Sequence, residues 1–364
     1  MQRYNCGYTF DNFLIEVSMN LERIYENRKH FDKKENAAGI SMAIIPVLGF
    51  LIFGLLPMVL GIMMSFFDFD GGEFFFRRYP EGLGAGKEAG TWNFSFAGFE
   101  NYKYLFKHVS SDPKSGMFLE TLITTLIQFI SLPVCIVLSM LVAFFLSKKI
   151  KGKNAMRTIY LIPFICSSIA ISLIWGEFFS KTGILNSILV ALNAVSKDSA
   201  GAAKTINWTV DRFYTVVFII NVWGGTGFQI ILFTAALTNV NNSYYEAAKV
   251  DGANSFQIFF KITLPAISPT TFYLFITGVI GALQAYVTPD MVAKIGGNPA
   301  PTKYFGVDIN NPANTVMAYI QSLLMGADNI RVGLACAAGI VLAILIGIIT
   351  IINFIVSKYW VSYD

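Results

Sequence analysis

Apolar residues in this chain come in long unbroken blocks, not at helical or strand periods. Stretches free of Asp, Glu, Lys and Arg run from Asn36 to Phe67, Thr121 to Ser147, Thr158 to Gly176, Phe213 to Tyr245, Ile262 to Pro289 and Val332 to Ser357, each 19 to 33 residues long. About 20 apolar residues suffice to cross a bilayer as a helix. In hydrocarbon every backbone polar group must be paired internally, which leaves helices or a closed barrel, and continuous runs without alternation select helices. The pattern therefore predicts an all-α, polytopic membrane protein with six transmembrane helices. Two shorter uncharged stretches are set aside. Thr182–Ser196 is too short to span and predicts an interfacial or external helix, and Ile309–Ala327 is too polar, with Asn310, Asn311, Pro312, Asn314 and Gln321.

Composition agrees, since 54% of the 364 residues are hydrophobic and only 14% charged, against roughly 25% charged in soluble domains. A net charge of +4 is too weak and dispersed to point to nucleic acid. Location matters more than the total. The loop between the second and third spans reads SKKIKGKNAMR, with Lys148, Lys149, Lys151, Lys153, Arg157 and no acid, which makes it cytoplasmic. Both termini are then cytoplasmic, and 68–120, 177–212 and 290–331 are external. The first external loop, 53 residues with eight acids against six bases, fits. With no short apolar region and small-residue cleavage site, the first span predicts an uncleaved anchor, and LERIYENRKHFDKKEN before it a solvated cytoplasmic helix. Cys6, Cys135, Cys166 and Cys336 form no CxxC pair and read as packing residues.

The same pattern narrows the chemistry. No span carries an ionisable residue at its middle, which argues against an ion-coupled carrier or proton pump. The spans hold Gln128, Asn221, Trp223, Gln229, Tyr273, Gln284 and Tyr286, which could bind a neutral polar solute or join helices to one another. Gly224, Gly225 and Gly227 permit close helix approach or unwinding. Gly86-Lys87 is no phosphate-binding loop, because Glu81 stands where its first glycine belongs and Glu88 where Ser or Thr belongs. His30 and His108 are too far apart in sequence to suggest a metal site or triad. The expectation is a chain with no catalytic residues, no metal ligands and no cofactor of its own.

The connection NNSYYEAAKVDGANSFQIFFKITLPAISP, Asn241 to Pro269, is the most informative stretch. Ser243 with Glu246, and Asn254 with Gln257, have capping-box spacing. Gly252 sits where a positive φ would end the first helix, and Pro265 where the second would close before the fifth span. The prediction is a short helix, a turn and a helix at the cytoplasmic surface, shaped to dock into a groove on another protein.

This loop also resembles the signature of binding-protein-dependent ABC importer permeases: EAA, three residues, Gly, nine residues, then I-x-L-P. Glu246, Ala247, Ala248, Gly252, Ile262, Leu264 and Pro265 fall at the required positions. From about Ser41 onward the chain is similar to the carbohydrate-uptake, maltose-transporter (MalF/UgpA-like) type. FAGFENYKYLF (Phe96–Phe106), GILN (Gly183–Asn186), Val222-Trp223 before Gly227-Phe228, and Gly296-Gly297 follow that pattern, with Asn298 interrupting GGP.

The resemblance implies a cytoplasmic N-terminal segment, 1–40, and an ABC importer permease domain, 41–364, with an external loop at 68–120 and a coupling loop at 241–265. It implies a bacterial plasma-membrane permease that moves a sugar or oligosaccharide by alternating access, not an enzyme. Partners would be a second permease, two copies of a cytoplasmic ATPase that binds ATP and Mg, and an extracytoplasmic solute-binding protein. Glu246, Ala247, Ala248, Asp251, Gly252, Ile262, Leu264 and Pro265 would couple to the ATPase. Asn221, Gly225, Phe228, Gln284 and Tyr286 would face the solute. Alternatives are an ATP-independent carrier or facilitator, a non-transporting assembly subunit, and glycerol phosphate as solute.

Overall fold

A computed structural model describes residues 38–69, 94–107, 117–147, 152–195, 203, 205–325 and 331–362. The expected N-terminal cytoplasmic helix, the Gly86-Lys87 region, Cys6, both histidines and Lys148, Lys149 and Lys151 of the basic loop lie outside the described residues. The chain divides into two compact units, Met1–Met63 and Met64–Asp364.

The described part of the first unit is helix α1, Ala38–Met64, whose last residue opens the second unit. It has no polar face, as a lipid-facing helix needs. A π-turn at Leu51–Leu55 sits just before Pro57, and the Leu56 N–H reaches back to the Leu51 carbonyl. The reason is local, since a proline ring offers no N–H to the carbonyl four residues earlier and crowds it, so the helix widens by one residue.

The second unit begins with strand β1 (Phe67–Phe69), antiparallel to β2 (Phe94–Phe96), then helices α2 (Glu100–Phe106) and α3 (Met117–Ser147). There follow α4 (Lys153–Ile165), α5 (Ser168–Phe178), α6 (Ile184–Ala191), the single turn α7 (Trp208–Asp211) and α8 (Phe213–Asn239). The remainder comprises α9 (Asn242–Val250), α10 (Ser255–Ala266), α11 (Ser268–Leu283), α12 (Val287–Gly296), the hairpin β3 (Thr302–Tyr304) and β4 (Val307–Ile309), α13 (Val316–Met325) and α14 (Val332–Ser357). The all-α expectation thus gains two small two-stranded sheets.

Helices α1, α3, α8 and α14 are each long and apolar enough to cross a membrane. The third and fifth spans, expected to be continuous, are bent pairs: α4 and α5 meet at 103°, α10 and α11 at 63°. Six crossings result if each pair counts as one. Pro163 lies inside α4, and the chain then runs extended through Cys166 and Ser167, with ψ of 151° and 131°. Between α10 and α11, Pro269 offers no N–H to the Pro265 carbonyl, and the Ser268 hydroxyl bonds it instead at 2.6 Å. The helix expected to close at Pro265 runs on to Ala266 and turns at Ile267.

Buried residues of α3, α8, α11, α13 and α14 form the main core, with Phe118, Phe233, Leu283 and Val316 fully enclosed. A smaller cluster joins α5, α8 and α12 through Ile171, Val217 and Val292. Glycines set the closest approaches. A Cβ on Gly227 of α8 would overlap the Tyr160 carbonyl oxygen of α4, and one on Gly278 of α11 would overlap Leu132 of α3. The stretch excluded from spanning contains α13, whose ten residues rise about 15 Å, half a hydrocarbon core. Its first amide donates to Thr125 Oγ1 at 3.0 Å, and the Thr315 hydroxyl before it bonds the Ala285 carbonyl at 2.8 Å.

The other segments that carry the family resemblance serve as ties. Asn101 Nδ2 donates to the Ser65 and Phe67 carbonyls at 2.8 and 2.9 Å, and the Tyr102 and Ser65 hydroxyls share a 2.7 Å bond. Gly98, at φ +56°, makes the turn that brings Asn101 there. Asn186 of GILN is buried, and its Nδ2 meets the carbonyls of Ser180, Lys181 and Ile206 at 2.7 to 3.0 Å. Its Oδ1 accepts from the Trp208 indole at 3.2 Å. Gly296 leaves room for Thr209, and Gly297, at φ +89°, ends α12.

Candidate coupling loop and translocation cavity

The loop between α8 and α11 folds as a helix, a glycine turn and a second helix. Its first cap differs from expectation, because Asn241 accepts from the Ser243 amide at 3.0 Å and α9 begins at Asn242. Ser243 is thus inside the first turn, where it cannot cap with Glu246. The C-terminus is as the glycine predicts. Gly252 has φ +76°, its amide donates to the Lys249 carbonyl, and the Ala253 amide donates to the Ala248 carbonyl at 2.9 Å. These two bonds are the Schellman pair, which satisfies carbonyls the helix end would leave open. The second capping box forms as spaced, with Asn254 and Gln257 exchanging bonds of 2.8 and 2.9 Å.

A π-turn at Phe259–Thr263 precedes Pro265 as its counterpart precedes Pro57. Phe259 and Leu264 pack on the main core, and Phe259 meets Phe144 of α3 edge-on at 5.1 Å. The Thr263 hydroxyl donates to that of Tyr245 at 3.4 Å and links α10 to α9. Ala248 is buried beneath the turn, Ile262, Leu264 and Pro265 are half-buried, and Glu246, Ala247, Asp251 and Gly252 are exposed. Beside them Val250 is 88% exposed and Phe256 76%, an apolar patch of the kind that marks a protein contact.

The helices on either side of this loop border a cavity of about 460 Å³ between α3, the α4–α5 break, α8 and α11. Such a volume is in the range of small-molecule sites. Irregular backbone at membrane depth is tolerated where it lines a cavity, and Cys166 and Ser168 at the α4–α5 break do so. Gly224 and Gly281 widen it, since a Cβ on either would meet nothing within 4 Å. None of the described lining residues is charged.

Of the five residues expected at the solute, Asn221 and Gly225 line this cavity. Phe228 does not, and instead stacks at 5.0 Å on Phe164, which does. Gln284 and Tyr286 stand beyond the end of α11, Gln284 as its exposed C-cap. The Tyr286 hydroxyl donates to Asp290 at 3.2 Å, and Asp290 pairs with Lys294 at 2.7 Å, a hydrogen bond that holds Lys294 above its ordinary pKa. The expectation that Gln284 and Tyr286 lie in the fifth span fails because α11 stops at Leu283.

Gln128 of α3 and Gln229 of α8, which the sequence marks only as polar residues within spans, line the cavity. They are 6% and 8% exposed, and Gln128 Nε2 and Oε1 and Gln229 Oε1 have no hydrogen-bond partner. Leaving a buried amide unpaired costs about 1–3 kcal/mol by protein mutational measures. No spacing rule could single these two out.

The family described as a binding-protein-dependent transport system inner membrane component matches residues 114–360. The chain is similar to the probable ABC transporter permease protein YesP of Bacillus subtilis (strain 168), 28% identical over 337 residues that cover 91% of this chain and 94% of the relative. It is also similar to the multiple sugar-binding transport system permease protein MsmF of Streptococcus mutans, 27% identical over 307 residues, 84% of this chain and 94% of the relative. Among solved structures, a chain of a bacterial ABC transporter involved in import of the acidic polysaccharide alginate matches with a TM-score of 0.67. That match has 22% identity and covers 91% of this chain and 98% of the other, a likeness of fold alone.

Proposed function

The chain belongs to the family of binding-protein-dependent transport system inner membrane components, and on that premise we propose that it passes a sugar or oligosaccharide across the plasma membrane under the drive of a separate ATPase. It is a permease subunit of a binding-protein-dependent importer and not an enzyme.

One observation carries the proposal: α8 and α11, the helices that the 241–265 loop joins, both line the cavity. A displacement applied at α9 and α10 therefore acts on the cavity walls, the requirement for a two-state rigid-body element. In this reading two copies of an ATPase, each binding ATP and Mg, sit on the cytoplasmic side, and one receives the exposed face around Glu246, Val250 and Phe256. A second permease completes the pathway, and an external binding protein delivers the solute to the opposite side. In the same reading both termini and the 241–265 loop face the cytoplasm, which the run of bases from Lys148 to Arg157 supports. The sugar reading is supported by the uncharged, partly polar cavity wall and by the name of the multiple sugar-binding relative. The same uncharged wall weighs against glycerol phosphate.

The test is reconstitution. Proteoliposomes with the permease pair, the ATPase and the solute-loaded binding protein should accumulate a neutral sugar only when ATP is present. Uptake independent of the ATPase would favour a facilitator, and failure of the ATPase to co-purify would favour an assembly subunit.

A further inference from the structure

The unpartnered glutamines have a definite register. Cys135 of α3 lies against the Asn221 and Val222 carbonyls of α8 at 3.6 and 3.7 Å, and Ser139 donates to the Thr226 carbonyl at 3.4 Å. The two helices therefore run parallel. Gln128 is seven residues before Cys135 and Gln229 seven after Val222, so at 1.5 Å per residue they are separated by roughly 20 Å along the helix direction. One stands toward each end of the same cavity.

We propose that Gln128 and Gln229 are specificity-determining residues that engage an uncharged, polyhydroxylated solute, one near each end of the path. The proposal rests on the importer reading above, with its neutral sugar, and extends it to two residues outside the expected set. Both side chains are more than nine-tenths buried, yet three of their polar atoms bond nothing. A glutamine kept only to join helices would bond the neighbouring helix. Those atoms are also closed off within this chain, so a second permease could not reach them without rearrangement. The solute would meet them once each amide turns about its outer side-chain bonds into the adjoining cavity that both residues line, where it would offer donors and an acceptor. Hydroxyl groups, which both donate and accept, match that set. A charged solute would find no countercharge among the described lining residues.

The test uses the full complex of both permeases, ATPase and binding protein. Gln128→Leu, Gln128→Met, Gln229→Leu and Gln229→Met are compared with the parent for thermal unfolding and for uptake of labelled maltotriose, lactose, digalacturonate and glycerol 3-phosphate. The expected result is an unfolding temperature unchanged or raised in all four. The apparent KM for the neutral sugar should rise about tenfold, the loss of one or two solute hydrogen bonds. A marked fall in unfolding temperature would mean that the amides bond protein, and would overturn the proposal. So would unchanged KM in all four, which leaves the sugar-importer reading standing. Uptake by the parent of only the charged probes, or of no neutral probe, would overturn the neutral-solute class. Transport of glycerol 3-phosphate alone would overturn the sugar reading with it.

Discussion

Replacing Gly252 separates two meanings of a glycine in the 241–265 loop. Its φ is +76°, and a Cβ built there meets nothing within 4 Å. The only penalty for a side chain is therefore conformational, about 1–2 kcal/mol for an ordinary L-residue and less for Asn, which tolerates the left-handed region. That energy is a factor of roughly 5–30 in population of the turn. The helices on either side are nine and twelve residues long, too short to be stable alone. The strain should therefore appear as a changed angle between α9 and α10 and not as global unfolding. The assay is binding of the isolated ATPase to the detergent-solubilised permease pair, with hydrogen exchange at the Ala253 amide, whose bond to Ala248 closes the turn. Gly252→Ala should raise the dissociation constant about 5–30-fold and speed exchange, whereas Gly252→Asn should stay within about threefold of the parent. Equal damage from Ala and Asn would refute the argument from backbone conformation, and parental affinity in both would refute the docking role.

Gly227→Ala has the opposite cause, since its added methyl would strike the Tyr160 carbonyl; it should cost about 1–3 kcal/mol in thermal unfolding while ATPase binding to the solubilised pair stays parental. Asn186→Ala strips partners from three carbonyls and the Trp208 indole and should cost about 2–4 kcal/mol, read as faster proteolysis of the 180–208 segment. Asn186→Asp should fail to rescue it, because a carboxylate cannot donate to those carbonyls. Asn101→Ala should cost about 1–3 kcal/mol by unfolding monitored with circular dichroism, and parental stability would show that the β1–α2 tie is dispensable.

The legible parts of the site are those whose geometry is decided within a few residues. The Gly252 turn and the Asn254–Gln257 box depend on backbone conformation and on side chains reaching their own helix start, so spacing revealed both. Asn241 displaced Ser243 as the first cap because either residue can supply the oxygen, and sequence alone does not choose between neighbours. The helix passed through Pro265 because a π-turn accommodated the missing N–H, and the break came at Ile267, where Ser268 takes up the freed carbonyl. That shift bears on the residues expected at the solute. With α11 ending at Leu283, Gln284 and Tyr286 fall beyond the helix that lines the cavity, whereas Asn221 and Gly225, set by the unbroken α8, stay in its wall.

The sequence by itself determined the membrane class, the helical character, the glycine turn of the 241–265 loop and the family. Each follows from a local property: an apolar block without charge, a glycine and a cap at fixed spacing, and a short run of specified residues. Tertiary structure alone decided that two of the apolar stretches are bent helix pairs, that Gly227 is needed for space while Gly252 is needed for φ, and that Gln128 and Gln229 share one cavity. These depend on which helices lie side by side and at what register. Positions a hundred residues apart in the chain are brought together only by packing.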